Sequence, residues 1–272
     1  MNQATYFGEQ LIRSITLLVL LLLVTINPLD AQKSDQALST ESILKSFAED
    51  YMKDTHFTED WTFGVKVDKE KWTIQAIVET AETKAAVKVL PGFPEIPTFY
   101  FKTTKWALED IYAGKMNALT GAVKAFSTDY APFDLDVMEG FQPDESFVSK
   151  TLPLLFHFWT KGTPEIIPFG QQYTRNTHGA QASIFYYQPG IRSGWGILHP
   201  GQHANEHPSS QTNEFPSLII LTKGTVTAKL NGVDHTVKSG NAIFIPPGMK
   251  HEFINPFDEP AEFILLMFGE GA

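Results

Sequence analysis

Apolar and polar residues follow different periods in the two halves of the chain. Residues 43–51 carry apolar side chains at helical spacing, and Ser39 or Thr40 can cap that helix. Residues 61–67 and 72–78 alternate instead, and a polar four-residue turn separates them. This pattern predicts a helix followed by a β-hairpin with an aromatic-rich inner face.

Two more strands and two short helices are predicted next. Residues 85–90 and 98–103 form the strands, separated by a loop with three prolines in seven residues. Thr104 can cap the following helix, and Gly114 can end it. A second short helix is predicted over residues 118–125.

The apolar segment 147–159 contains Pro153, which predicts a kinked helix within a helical connector of residues 136–165. His157 in this segment is predicted to be a packed core histidine. From residue 166 onward, eight short apolar runs alternate with Gly, Pro and Asn, and Asn231-Gly232 is typical of a two-residue hairpin turn. The second half is therefore predicted to be a closed β-sandwich or jelly roll.

Composition narrows the classes of function. The 272 residues favour two domains, at about 100–200 residues each. A formal net charge of −10 without a basic patch disfavours nucleic acid as a partner. Because the chain has no cysteine, it can form neither disulfides nor thiolate metal sites.

The N-terminal residues are predicted to be a targeting segment. Residues 15–26 are uncharged and apolar, follow Arg13 and are too short to cross a bilayer. Residues 1–31 are therefore interpreted as a secretory signal peptide, which predicts a secreted or periplasmic protein without a stable membrane span after its removal. The alternative is a membrane anchor through residues 14–26.

The first half resembles the sterol carrier protein type 2 domain. The likeness rests on residues 61–78, 98–103 and 104–120, including the sequence DIYAGKMN at 110–117, and it covers about residues 39–130. It implies an α/β domain over residues 39–135 with an apolar tunnel for lipid-like ligands, and Trp106 is a candidate ligand contact. The alternative is that the aromatic residues simply fill the core. The sequence departs from the family pattern at residues 126–132, which puts the far wall of the tunnel in doubt.

The second half resembles a cupin. Residues 240–255, GNAIFIPPGMKHEFIN, carry the second cupin motif, with glycine and proline at its turns and His251 at the start of a strand. The resemblance implies a cupin jelly-roll barrel over residues 166–272, with the imidazole of His251 facing the interior. The whole chain is thus predicted to combine an α+β domain with an all-β domain.

The first cupin motif is incomplete, and two registers are open. Counting forward from Pro200-Gly201 leaves His207 and Glu214 beside His251, with His203 as a further candidate ligand. This set could hold Fe(II), Mn(II) or Zn(II). Counting back from Gly224 leaves only His251, and Gln211 and Asn213 would then bind an organic ligand by hydrogen bonds.

An arginine at the opening of the barrel could bind a ligand carboxylate in a bidentate manner. Arg175 precedes the first barrel strand and Arg192 follows it, and surface positions are the alternative for each.

Two functions remain from the sequence. One is an exported carrier that binds a small hydrophobic molecule, and the other is a metal-dependent cupin dioxygenase or isomerase acting on such a molecule. The incomplete ligand set and the lack of an evident general base favour the carrier. By analogy with other cupins, a homodimer is expected.

Overall fold

The computed structural model of the protein describes residues 38–162 and 164–272, and the segment interpreted as a signal peptide lies outside them. Residues 39–272 pack as one unit, so both halves contribute to a common structure. Within the described residues, no helix has the length and apolar character needed to cross a membrane.

The first half places helices against a mixed sheet. Its helices are α1 (Thr40–Tyr51), α2 (Lys105–Tyr112), α3 (Ala118–Ala122) and α4 (Phe147–His157). Its strands are β1 (Trp61–Val67), β2 (Glu70–Ile77), β3 (Ala86–Pro91), β4 (Phe99–Thr103) and β5 (Phe133–Val137). They lie in the order β3-β2-β1-β4-β5, in which β1 and β4 are parallel and the other neighbours are antiparallel.

The predicted helix starts are confirmed by their hydrogen bonds. The hydroxyl of Ser39 accepts from the backbone N–H of Ser42 at 3.1 Å, and the hydroxyl of Thr104 accepts from Ala107 at 3.1 Å. Each cap satisfies one backbone donor that the first helical turn leaves without an intrahelical partner. The predicted helix over the 147–159 segment is also present, with Pro153 inside α4.

Aromatic rings from the sheet and the helices fill the core of the first half. The rings of Phe63 and Phe158 lie 5.2 Å apart, and those of Phe133 and Trp159 lie 5.0 Å apart, both edge to face. The largest buried side chains here are those of Phe47, Tyr51, Phe63, Phe101, Phe133, Phe158 and Trp159. Of the two interpretations of these aromatics, the structure supports core packing.

The second half forms two packed β-sheets. The strands are β6 (Arg175–Thr177), β7 (Ala180–Gln188), β8 (Ile191–Leu198), β9 (His203–Ala204), β10 (Ser217–Lys223), β11 (Thr225–Leu230), β12 (Val233–Lys238), β13 (Ala242–Ile245), β14 (His251–Ile254) and β15 (Ala261–Phe268). The large sheet has the order β13-β10-β15-β8-β7-β6, and the small sheet has the order β12-β11-β14-β9. The two sheets agree with the predicted sandwich or jelly roll, although the backbone ladders of the described residues do not join them into one closed barrel.

A second hydrophobic core joins the two sheets. Ile219 and Leu221 from the large sheet pack with Val226, Ala228 and Phe253 from the small sheet. Small side chains opposite branched ones let the sheets approach closely, as in other sandwiches. The predicted hairpin turn is confirmed, because Asn231 and Gly232 both have positive φ angles, 46° and 84°.

Arg175 joins the two halves of the chain. Its Nη1 donates to the carbonyl oxygens of Thr120, Gly121 and Val123 at 2.8–3.1 Å, and its Nη2 donates to that of Tyr130 at 2.9 Å. These oxygens lie in and after α3, where a helix end leaves carbonyls free. The prediction that Arg175 binds a ligand carboxylate is therefore corrected, since its guanidinium is occupied by main-chain oxygens.

Candidate ligand-binding site

His251 faces the interior of the sandwich, as predicted. It begins β14, is 4% exposed, and lies two residues before Phe253, which belongs to the sandwich core. Its Nδ1 lies 3.0 Å from the carbonyl oxygen of Met249, to which it donates. Burial lowers the pKa of His251 and the hydrogen bond to Met249 opposes this, so that the net pKa lies below the usual histidine value.

His203 faces the opposite side of the small sheet. In the β14–β9 ladder it pairs with Ile254, whose side chain alternates with those of His251 and Phe253. Its Nε2 lies 2.8 Å from a carboxylate oxygen of Glu252, also on that outer face. The strand register therefore separates His203 from His251.

His207 and Glu214 are both exposed and lie in the loop before β10. The Nδ1 of His207 lies 2.9 Å from the hydroxyl of Ser209 at the start of a short 3-10 helix. Across residues 38–162 and 164–272, none of His203, His207, Glu214 and His251 belongs to a group of three or more His, Asp or Glu ligand atoms within 4.8 Å of one another. This arrangement does not fit a cupin metal centre.

Gln211 and Asn213 bind the backbone of the second motif. Their carbonyl oxygens accept from the N–H groups of His251 and Gly248, each at 2.8 Å. Their side-chain amides donate to the carbonyl of Glu206 and to a serine hydroxyl, at 3.2 and 3.3 Å. Both side chains thus have protein partners, and the residues hold the two motifs together.

Trp106 is 59% exposed on α2 and lies outside the aromatic core. With Arg175 and Tyr130 it lines a surface depression of about 280 Å³. The sequence grouped Trp106 with a buried tunnel, and this position is a correction, because the tryptophan is on the outward face of its helix.

A cavity of about 400 Å³ lies between α3, α4 and the large sheet. The helices contribute Leu119, Leu152 and Leu155, and the sheet contributes Ile184, Phe263 and Leu265. Such a volume is in the range of about 300–1,000 Å³ that small-molecule sites occupy.

A glycine lies in the sheet wall of this cavity. Gly194 lies between Ile184 and Leu265 in the β7–β8–β15 ladder, so the three positions share one face. A Cβ at Gly194 would lie 2.7 Å from the carbonyl oxygen of Ser183, so glycine is required by the close approach of β7 at this point.

Two residues that line this cavity each have a buried polar atom without a hydrogen-bond partner among the described residues. These atoms are the Nε of Arg192 and the hydroxyl oxygen of Thr177. A buried donor left unpaired costs about 1–3 kcal/mol, and a ligand acceptor would recover part of that cost. The sequence analysis named Arg192, with Arg175, as an arginine that could bind a ligand carboxylate, but the burial of its Nε was not visible in the sequence.

The cavity adjoins a polar surface pocket. Thr177 and His178 line both the apolar cavity and a pocket of about 290 Å³ that also contains His203 and His207. The ring of Phe126 lies 4.9 Å from the ring of His207 at this pocket. Residues 126–132, which depart from the sterol carrier pattern, thus contribute to the wall of the surface pocket that adjoins the cavity.

Comparison with known proteins identifies the class of the second half. Residues 194–267 match the family model described as "Cupin domain". Residues 194–267 are thus similar to a cupin domain, in agreement with the prediction from the second motif. The resemblance of residues 39–130 to sterol carrier proteins stays a prediction.

One curated relative, protein SchB of Streptomyces halstedii, is 28% identical over 71 residues, which are 26% of this chain and 49% of SchB. The chain thus spans about half the length of this relative. Two of the similar solved structures are a Cupin 2 conserved barrel domain protein from Salinispora arenicola (20% identity, 40% of this chain and 91% of that one, TM-score 0.35) and the plu4264 protein from Photorhabdus luminescens (18% identity, 38% and 87%, TM-score 0.35).

Proposed function

We propose that the protein binds a small amphipathic molecule with an apolar body and an anionic or carbonyl group. The apolar body occupies the cavity between α3, α4 and the large sheet. The oxygen of the ligand accepts a hydrogen bond from Arg192. The observation that carries this proposal is a mainly apolar cavity of about 400 Å³ lined in part by Arg192, whose buried Nε has no hydrogen-bond partner among the described residues.

The chemistry of the lining supports this class of ligand. Leucine, isoleucine and phenylalanine side chains favour an alkyl or ring body, at about 25 cal/mol per Å² of apolar surface buried. A cationic guanidinium in an apolar wall favours a carboxylate over an ammonium group, because the anion gains a charge-assisted hydrogen bond there. A site of this kind binds without a metal.

A carrier is favoured over a metal-dependent enzyme. The four side chains that would ligate a cupin metal do not converge, and His203 faces away from His251. The cavity provides a binding site that does not depend on them. Export through the N-terminal segment belongs to the same proposal, because it would place a carrier where small molecules are collected outside the cytoplasm.

Displacement of a fluorescent anion, 1-anilinonaphthalene-8-sulfonate, by dodecanoate tests the proposal. Leu152→Trp on α4 places a large ring in the cavity, and Leu90→Trp makes the same change on the exposed face of β3. We expect wild type and Leu90→Trp to bind dodecanoate alike and Leu152→Trp to bind it at least tenfold more weakly. Equal affinity in all three folded proteins would overturn the proposal. Circular dichroism and thermal unfolding verify that each variant is folded.

A further inference from the structure

A cluster of two histidines and two carboxylates lies in the first half, away from the cupin motifs. Asp54 and His56 follow α1, His157 is the last residue of α4, and Glu165 follows that helix in sequence. His157 is 5% exposed, and the side chains of Asp54 and Glu165 are 7% and 22% exposed. The sequence predicted His157 to be a packed core residue, and the structure adds two acidic partners to that burial.

The ligand-type atoms of these side chains lie close together. The Nδ1 of His157 is 3.1 Å from a carboxylate oxygen of Asp54 and 3.0 Å from one of Glu165. The Nδ1 of His56 is 3.2 Å from the other oxygen of Asp54. The two imidazole rings are stacked, with centroids 3.6 Å apart and planes 14° apart, so their nitrogens point along nearly parallel planes and His56 covers one face of the His157 ring.

The charges in this cluster are unbalanced without a cation. The Nδ1 of His157 can carry one proton, yet it faces two carboxylates.

We propose that Asp54, His157 and Glu165 bind one divalent transition-metal cation of the Zn(II) or Mn(II) class, with water completing its coordination. One imidazole nitrogen and two carboxylate oxygens form a donor set that such cations accept. Bonds of about 2.1 Å in tetrahedral or octahedral geometry separate neighbouring ligand atoms by about 3.0–3.4 Å. The Nδ1 of His157 lies 3.1 Å from the Asp54 oxygen and 3.0 Å from the Glu165 oxygen, within that range.

The cation joins parts of the chain that are distant in sequence. Asp54 and His157 are 103 residues apart, and the site connects the turn after α1 to the end of α4. The same helix carries Leu152 and Leu155 in the wall of the ligand cavity. Bound metal would therefore stabilise the folded protein by mass action, and this inference does not depend on the ligand proposal.

Equilibrium dialysis of untagged protein against Zn(II), followed by elemental analysis, tests the site. The test variants are Asp54→Asn, His157→Asn and Glu165→Gln. Because the Glu165 side chain is the most exposed of the three, we expect its replacement to disturb the fold least. His203→Asn is the matched control, because it also removes a histidine that pairs with a carboxylate, at 2.8 Å.

We expect wild type and His203→Asn to retain about one Zn(II) per chain and to unfold several degrees higher with Zn(II) than without it. The three cluster variants should lose at least tenfold in affinity, and Glu165→Gln should also alter the visible spectrum of bound Co(II). Less than a tenth of an equivalent on wild type would overturn the proposal. So would retention by the folded Glu165→Gln protein together with loss in His203→Asn.

Discussion

The Cζ of Arg192 lies 4.4 Å from the centre of the Tyr187 ring, so the guanidinium stacks on that ring. Phe215 covers it at 4.8 Å, and Nη2 donates to the carbonyl of Gly271 at 3.2 Å. Stacking and this hydrogen bond fix a planar cation in the cavity wall while Nε stays unpaired. A fixed guanidinium in the wall of the cavity is suited to bind an anionic group at low entropic cost.

Arg192→Lys tests the role of the guanidinium. Lysine keeps the charge but loses the stacking on Tyr187 and the Nε donor. We expect the affinity for dodecanoate to fall about tenfold, or about 1.4 kcal/mol, the worth of one charge-assisted contact. Titration calorimetry measures this affinity. Uncharged dodecanol is the control, and its affinities for wild type and variant should agree within twofold. An equal loss for both ligands would argue against recognition of the anionic group.

Arg175→Ala should destabilise the protein rather than remove a ligand contact. It leaves the carbonyls of Thr120, Gly121 and Val123 without a charged donor. We expect the free energy of unfolding to fall by about 3 kcal/mol in urea denaturation. Lys115→Ala, which removes an exposed ion pair with Asp110, should change it by less than about 0.5 kcal/mol. A similar small change for both would contradict the assigned role of Arg175.

Gly224→Ala tests the close approach of Gly224 to the carbonyl oxygen of Pro260. Gly224 has a φ of +74°, and a Cβ there would lie 2.5 Å from the carbonyl oxygen of Pro260. We expect a loss of about 3 kcal/mol, from backbone strain together with steric repulsion. Gly232→Ala is the control, with a φ of +84° and no atom within 4 Å, and should cost about 1 kcal/mol. Equal losses would show that the approach to Pro260 has no effect.

The stability of the folded protein is expected to depend on pH through Asp136. Burial raises its pKa, but the N–H of Val137, the hydroxyl of Tyr100 at 2.9 Å and the ammonium of Lys102 bring it below the ordinary value. Because the folded state binds the proton less well than the unfolded state, this stabilisation is present above pH about 4 and is lost as the pH falls further. We expect Asp136→Asn to lower stability by about 0.5 kcal/mol at pH 7 and not at pH 2. Urea denaturation at the two pH values measures this, and an effect independent of pH would contradict it.

Local signals in the sequence predicted part of this structure. The caps at Ser39 and Thr104 and the turn at Asn231-Gly232 depend on a few adjacent residues, and all three are confirmed. The inward position of His251 also followed from the motif around it. These features are fixed by backbone preferences that act within a few residues.

The positions of the other site residues depend on long-range packing. The side of the sheet that His203 faces is set by strand register, and a shift of one residue would reverse it. Arg175 contacts carbonyls more than 40 residues away, and His157 meets Asp54 across 103 residues. The cavity arises where α3 and α4 pack against the large sheet, so its volume could not be read from any one segment alone.

A crystal structure of the protein grown with dodecanoate tests the carrier proposal most directly. We predict electron density for the alkyl chain between Leu155 and Phe263, with a carboxylate oxygen within about 3 Å of a guanidinium nitrogen of Arg192. Density for dodecanoate only elsewhere on the protein, or ordered water filling the cavity at saturating dodecanoate, would contradict the account.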